Sequence, residues 1–181
     1  MGVSGTGKST LGVALSKALC LPFIDGDDLH PQSNVDKMSR GEPLTDDDRQ
    51  PWLETIRNTA VSSVLKRDED KKPGIIIACS ALKGSYRSVL RGETLSEAET
   101  SKHSGKLRTW FVYMKGSREV LMDRMTKRQG HFMKAAMLDS QLKTLENPEN
   151  EEGVVTVSIE WSTEDQVREV VGALKDKDGS I

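Results

Sequence analysis

Gly2-Val3-Ser4-Gly5-Thr6-Gly7-Lys8-Ser9 separates two glycines by four residues and follows them with an ammonium and a hydroxyl. That spacing suits phosphate. Glycines let the backbone turn its N–H groups toward phosphate oxygens, a lysine at this point reaches the β/γ phosphates, and a hydroxyl after it ligates Mg²⁺. Thr10 follows, and Leu11, Ala14, Leu15, Ala18 and Leu19 recur at helical spacing. A helix N-terminus there adds further donors and partial positive charge. A chance glycine-rich turn would lack that helix, so the expected ligand is a nucleotide of the ATP type with Mg²⁺.

Four other groups of polar residues have the composition of a transfer site. Asp25-Gly26-Asp27-Asp28-Leu29-His30 is an acidic turn. Its carboxylates can accept a proton from a hydroxyl or hold waters of a metal shell, where an isolated acidic turn would be a solvated loop or a helix cap. Arg49 lies among turn residues and charges, and either forks onto a substrate carboxylate or pairs with Asp46 on its own helix. Ser80, Lys83 and Arg87 combine a hydroxyl with two cations at a helix start, a cradle for an anionic sugar; the alternative is a solvated helix face. Arg124 and Arg128 precede Gln129-Gly130-His131-Phe132. They are placed to close over a γ-phosphate or, more plainly, to stabilise a helix C-terminus. His131 has no metal partner at ligand spacing.

These groups need elements to position them. Leu21–Asp25, Ile75–Cys79, Trp110–Met114 and Val154–Ile159 read as strands. Between them fall helices expected over Lys83–Arg91, Ser117–Arg128 and Ala135–Glu146, with a closing helix marked by Val167, Val170, Val171 and Leu174. Thr45-x-x-Asp48 is a capping-box pattern opening a long helix that tolerates Pro51 in its first turns. Alternating strands and helices predict a parallel sheet flanked by helices, with ligands beyond the carboxyl ends of the strands. The polar segment 92–106 reads as a surface insertion. The strand that should lead into the phosphate loop is largely missing ahead of Met1. That strand is expected inside the sheet, and its loss is expected to weaken folding or activity, with an added upstream apolar segment restoring both.

The chain has 181 residues, a net charge of −2 and 4% aromatic residues. One α/β domain is expected, without the basic footprint of a nucleic-acid binder and without a run of ~18 apolar residues that would span a membrane. Cys20 and Cys79 sit in apolar stretches and read as buried free thiols of a reducing, cytoplasmic protein.

MGVSGTGKST, DGDDLHP, GEPLTDDDRQPWL, CSALK with Tyr86 and Arg87, and RQGHFM occur in this order, followed by Leu138, Gln141, Glu146 and Pro148. Together they resemble the gluconate kinase family of small phosphate-loop kinases, related in fold to shikimate and adenylate kinases. The resemblance implies a three-layer fold with a helical substrate region over about 30–67 and a lid over about 124–135. It implies transfer of the ATP γ-phosphate to the terminal hydroxyl of D-gluconate, and a possible homodimer. Gly2, Val3, Ser4, Gly5, Thr6, Gly7, Lys8, Ser9 and Thr10 would hold the nucleotide. Ser9 and, through water, Asp25 would serve Mg²⁺, and Asp27 would be the acceptor's base. His30, Arg49, Ser80, Lys83 and Arg87 would line the sugar-acid pocket, and Arg124 and Arg128 would serve the lid. The competing expectations are a kinase for another small hydroxy acid and an inactive nucleotide-binding isoform.

Overall fold

The computed structural model describes residues 1–65, 74–93, 107–127 and 133–178. The chain order is α1 (Lys8–Leu19), β1 (Phe23–Asp25), a 3₁₀ turn (Gly26–Leu29), α2 (Gln32–Ser39), α3 (Asp46–Leu65), β2 (Ile76–Ala78), α4 (Gly84–Arg91), β3 (Phe111–Lys115), α5 (Arg118–Lys127), α6 (Met133–Thr144), β4 (Val154–Ser158) and α7 (Thr163–Asp178). The strands are shorter than their apolar runs: Leu21 lies ahead of β1, and Cys79 lies beyond β2.

β1 pairs with β2 in parallel, Phe23 opposite Ile76, and β3 pairs with β4 in parallel, Phe111 opposite Val154. Met1 and Gly2 lie between these two half-sheets. The Met1 nitrogen donates to the Val112 carbonyl, and Met114 N–H donates back to the Met1 carbonyl at 3.0 Å. Those bonds straddle one residue of β3, the pattern of a parallel pair. On the other side Gly2 N–H donates to the Ser80 carbonyl just past β2, at 3.1 Å. The phosphate loop therefore starts from a point tied to both halves.

Alternation along the strands sends side chains to both faces, and helices cover each. On one face Leu11 and Leu15 of α1 and Val170 of α7 pack with Met114, Val155 and Val157. On the other, Trp52, Leu53 and Ile56 of α3 and Val89 and Leu90 of α4 pack with Phe111. This is the α/β phosphate-loop fold expected from the order of elements.

Local chemistry sets the helix ends. Asp48 N–H donates to Thr45 Oγ1 at 3.2 Å, and Thr45 N–H donates to Asp48 Oδ2 at 2.7 Å, a reciprocal box that starts α3. α1 ends at Cys20, whose left-handed backbone (φ 54) lets its N–H bond Ser16. That position turns the Cys20 thiol outward, so only Cys79 meets the expectation of a buried thiol. α2 has no apolar stripe that would announce it; Asn34 is its buried residue. Gly92 ends α4 at φ 81, and 94–106 lie outside the described residues. Among the described residues no helix is long and apolar enough to cross a membrane.

Candidate active site

The phosphate loop is shaped for an anion. Gly5 (φ 84) and Gly7 (φ 93) adopt left-handed conformations that glycine reaches without strain. Gly7 is the N-cap of α1 and no side chain caps that helix, a helix start of the kind that receives an anion. Val3 and Thr6 face inward, with Thr6 Oγ1 donating to the Val3 carbonyl at 3.0 Å. Lys8 Nζ donates to the same carbonyl at 3.0 Å, which lays the ammonium across the loop. α5 backs this turn: a Cβ on Gly5 would stand 3.0 Å from Met125 Cγ.

β1 delivers the carboxylates to this edge. Asp25 Oδ2 accepts from Ser9 Oγ at 2.6 Å, and its Oδ1 accepts from Asp27 N–H at 3.2 Å. Asp25 thus joins the end of the phosphate loop to the turn that presents Asp27. A hydroxyl beside a carboxylate fits Mg²⁺, which takes few protein ligands and fills its shell with phosphate oxygens and water. Among the described residues no cluster of three or more side chains that could hold a metal ion occurs. Cys79 lies within electrostatic reach of Lys8 and Asp27, and burial pushes its thiol up to about 11.

His30 continues the wall. Its ring stacks on Trp52 at 4.2 Å, and Trp52 Nε1 donates to the Gly26 carbonyl at 2.7 Å. Asn34 Nδ2 donates to the Asp48 carbonyl at 2.8 Å and lies 3.2 Å from His30 Nδ1. An NH₂ group only donates, so Nδ1 accepts and the proton of the neutral ring sits on Nε2. Burial lowers the His30 pKa from its ordinary 6.5; the charge of Asp27 opposes this and that of Arg49 assists it. Both Asp27 and Arg49 therefore lie within electrostatic reach of His30. Behind it Lys37 bonds Asp48 at 2.6 Å and holds that carboxyl down at about 2, with Thr45 assisting.

At the far end α3 and α4 start side by side. Arg49 Nη1 donates to the Leu44 carbonyl at 2.5 Å, and its guanidinium lies 5.9 Å from the centre of the Tyr86 ring. Lys83 Nζ lies 5.5 Å from the same ring and donates to Asp46 Oδ2 at 2.6 Å, while Tyr86 OH donates to Asp46 Oδ1. Arg49 also approaches Asp46 Oδ1 at 4.0 Å, so its pairing on its own helix is present alongside its place at this end. Ser80 sits at the seam, where its carbonyl holds Gly2.

Arg87 is not part of this wall, and neither is it a solvated face. Its side chain is 1% exposed and donates to the carbonyls of Ala81, Leu82 and Glu146 and to both oxygens of Glu151. With Arg91, which bonds Glu151 at 3.0 Å, it fastens α4 to the chain before β4. The expectation that Arg87 contacts a sugar acid is corrected on that ground: its donors are taken and solvent does not reach it.

Arg124 donates to the Ile159 carbonyl at the end of β4. Arg128 and His131 lie outside the described residues. α6 contributes a residue that composition did not single out for a role: Gln141 Oε1 accepts from Ser4 N–H of the phosphate loop at 2.7 Å. Tyr86 was likewise without an assigned role, because its partner Asp46 lies 40 residues away in sequence.

A family model for shikimate kinase matches residues 4–174. The chain is 41% identical over 170 residues to a probable gluconokinase of Schizosaccharomyces pombe, covering 93% of this chain and 82% of that one. It is also 41% identical to the thermosensitive gluconokinase of Escherichia coli, over 97% and 87% of the two chains. This chain belongs to the gluconokinase family. A solved gluconokinase from Sinorhizobium meliloti superposes with a TM-score of 0.79 at 41% identity, covering 99% of this chain and 91% of that one. Membership in the gluconokinase family makes the site described above that of a small phosphate-loop kinase with a small-molecule substrate.

Proposed function

We propose that this chain transfers the γ-phosphate of ATP to the terminal hydroxyl of D-gluconate, giving 6-phospho-D-gluconate and ADP. The observation that supports it best is a run of neighbouring groups, which we read as lining one crevice. Ser9, Asp25 and the Asp27 turn lead to His30, and from there to Arg49 and Lys83. An anionic acceptor lying along it would have its carboxylate at the cationic end and its far hydroxyl at the phosphate loop.

The N–H groups of the loop and α1 hold the nucleotide phosphates, and Lys8 meets the charge of the β and γ groups. Ser9 and, through water, Asp25 would hold Mg²⁺, which would supply charge neutralisation at those oxygens. Asp27 takes the proton of the attacking hydroxyl as general base. His30 offers Nε2–H to a hydroxyl of the sugar chain, while Arg49 and Lys83 face its carboxylate. Phosphoryl transfer needs mainly such positioning and charge neutralisation.

Coupled ADP release tests the reading. Gluconate should support turnover, and shikimate or glucose should not. Asp27→Asn should lower kcat by about 10²–10⁴-fold with little change in ATP affinity. Turnover of another hydroxy acid in preference to gluconate would displace this proposal, and a crippled Asp25→Asn beside a mild Asp27→Asn would reverse the two roles.

A further inference from the structure

Asp46 is held more thoroughly than an exposed carboxylate needs to be. Its side chain is 59% exposed, yet one oxygen accepts from Lys83 and the other from Tyr86, partners 37 and 40 residues away. Arg49 stands 4.0 Å from it, and Arg49 and Lys83 flank the Tyr86 ring. Helix capping does not account for this, because Thr45 and Asp48 already close the start of α3. The ammonium, phenol and guanidinium around Asp46 are what a bound ligand's carboxylate would be given. Hydrogen bonds from Lys83 and Tyr86 hold the Asp46 pKa below its ordinary value, so at neutral pH it occupies them as an anion.

We propose that Asp46 is an internal anion occupying the carboxylate position of the acid-binding end, which a sugar acid must displace from Lys83 and Tyr86 in order to bind. This rests on the reading that the cationic end receives the substrate's carboxylate. It gives the site a means of selection that charge alone lacks. Every carboxylate meets the same internal competitor. A small acid has nothing further to offer, whereas a polyhydroxy acid adds hydroxyl contacts along the His30 wall. Asp46 is thereby a specificity-determining residue that discriminates by chain length and hydroxylation.

Asp46→Asn keeps the side chain's size and removes the competing charge. The gluconate KM should fall about tenfold, and the inhibition constant of acetate against gluconate phosphorylation should fall by a similar factor. The KM for ATP should stay within about twofold, since the change lies at the other end of the crevice. A gluconate KM that rises, or an acetate inhibition constant that stays put, overturns the proposal and makes Asp46 a scaffold residue. Asp46→Ser, with thermal midpoints for both variants, guards against a folding defect of the first. Calorimetric titration of acetate and gluconate into parent and variant protein separates this idea from the functional reading. If the parent does not phosphorylate gluconate, the functional reading fails. Equal carboxylate binding by parent and Asp46→Asn protein sinks the internal anion whatever the parent turns over.

Discussion

The two ends of the crevice are built from different material. The phosphate end is backbone: left-handed glycines, an uncapped helix start and one lysine, all within residues 2–10. The acid end is side chains, brought together from the starts of α3 and α4 and balanced by a carboxylate of its own. A backbone site is fixed by dihedral angles, so a short motif encodes it. A side-chain site is fixed by the packing of two helices, and its sequence signature is spread over forty residues of chain. The first end offers little selectivity, because every nucleotide has the same phosphates. Discrimination between acceptors falls to the second.

Lys8→Ala should produce the largest effect, a loss of about 10³-fold in kcat at an unchanged thermal midpoint. Steady-state turnover with Mg-ATP, paired with a melting curve, checks it. Near-parental turnover would mean that the backbone end works without its cation.

Two arginines sharpen the contrast at the acid end. Arg87→Ala takes its buried donors away from three carbonyls and from Glu151, which keeps only Arg91, and losing one partner of a buried pair costs about 3–5 kcal/mol. With Glu151 itself 29% exposed, the lower part of that range is expected. A denaturation midpoint should reveal it, with the KM of the surviving folded enzyme little changed. Arg49→Ala should do the reverse. Losing a charge-assisted bond of about 1.5–3 kcal/mol raises the gluconate KM by about ten- to a hundredfold, with the ATP KM and the midpoint nearly unchanged. If Arg87→Ala shifts KM and spares stability, the division between wall and scaffold is wrong.

The smallest expected effect is that of pH on His30. Its folded pKa lies below the ordinary 6.5, so the neutral ring is the form that folding favours. The stability it contributes is complete above 6.5 and is lost as pH falls through the lower, folded value. Protonating Nδ1 also sets two donors face to face with Asn34. Thermal midpoints of the parent and His30→Gln between pH 7.5 and 5 should therefore converge on acidification. Parallel curves would show that the ring titrates without linkage to folding.

The phosphate loop, the order of strands and of the helices other than α2, and the Thr45–Asp48 box were all legible, because each is written within a few residues of sequence. The acid end was legible as a set of charges but not as a wiring diagram. Lys83 and Arg87 are four apart on paper; Lys83 faces Asp46, whereas Arg87 turns inward to Glu151, 64 residues on. Which of two cations a fold buries is decided by what packs against the helix, and periodicity is silent on that. Gln141 shows the same limit. Its bond to Ser4 spans 137 residues, and an exposed-looking glutamine on α6 gives no local sign of it.

The seam between the half-sheets gives the phosphate loop a second office. The Met114 amide bonds Met1, and the Gly2 amide bonds Ser80, so the loop's root works as a stitch across a join in the β-layer. Tension in the loop is felt by the strands that deliver Cys79 and Ser80 on one side and Lys115 on the other. The Met114 amide proton is thus a natural gauge of the stitch: its rate of exchange with deuterated solvent reports how firmly the two halves are sewn, and a ligand that stiffens the loop slows it without touching either strand.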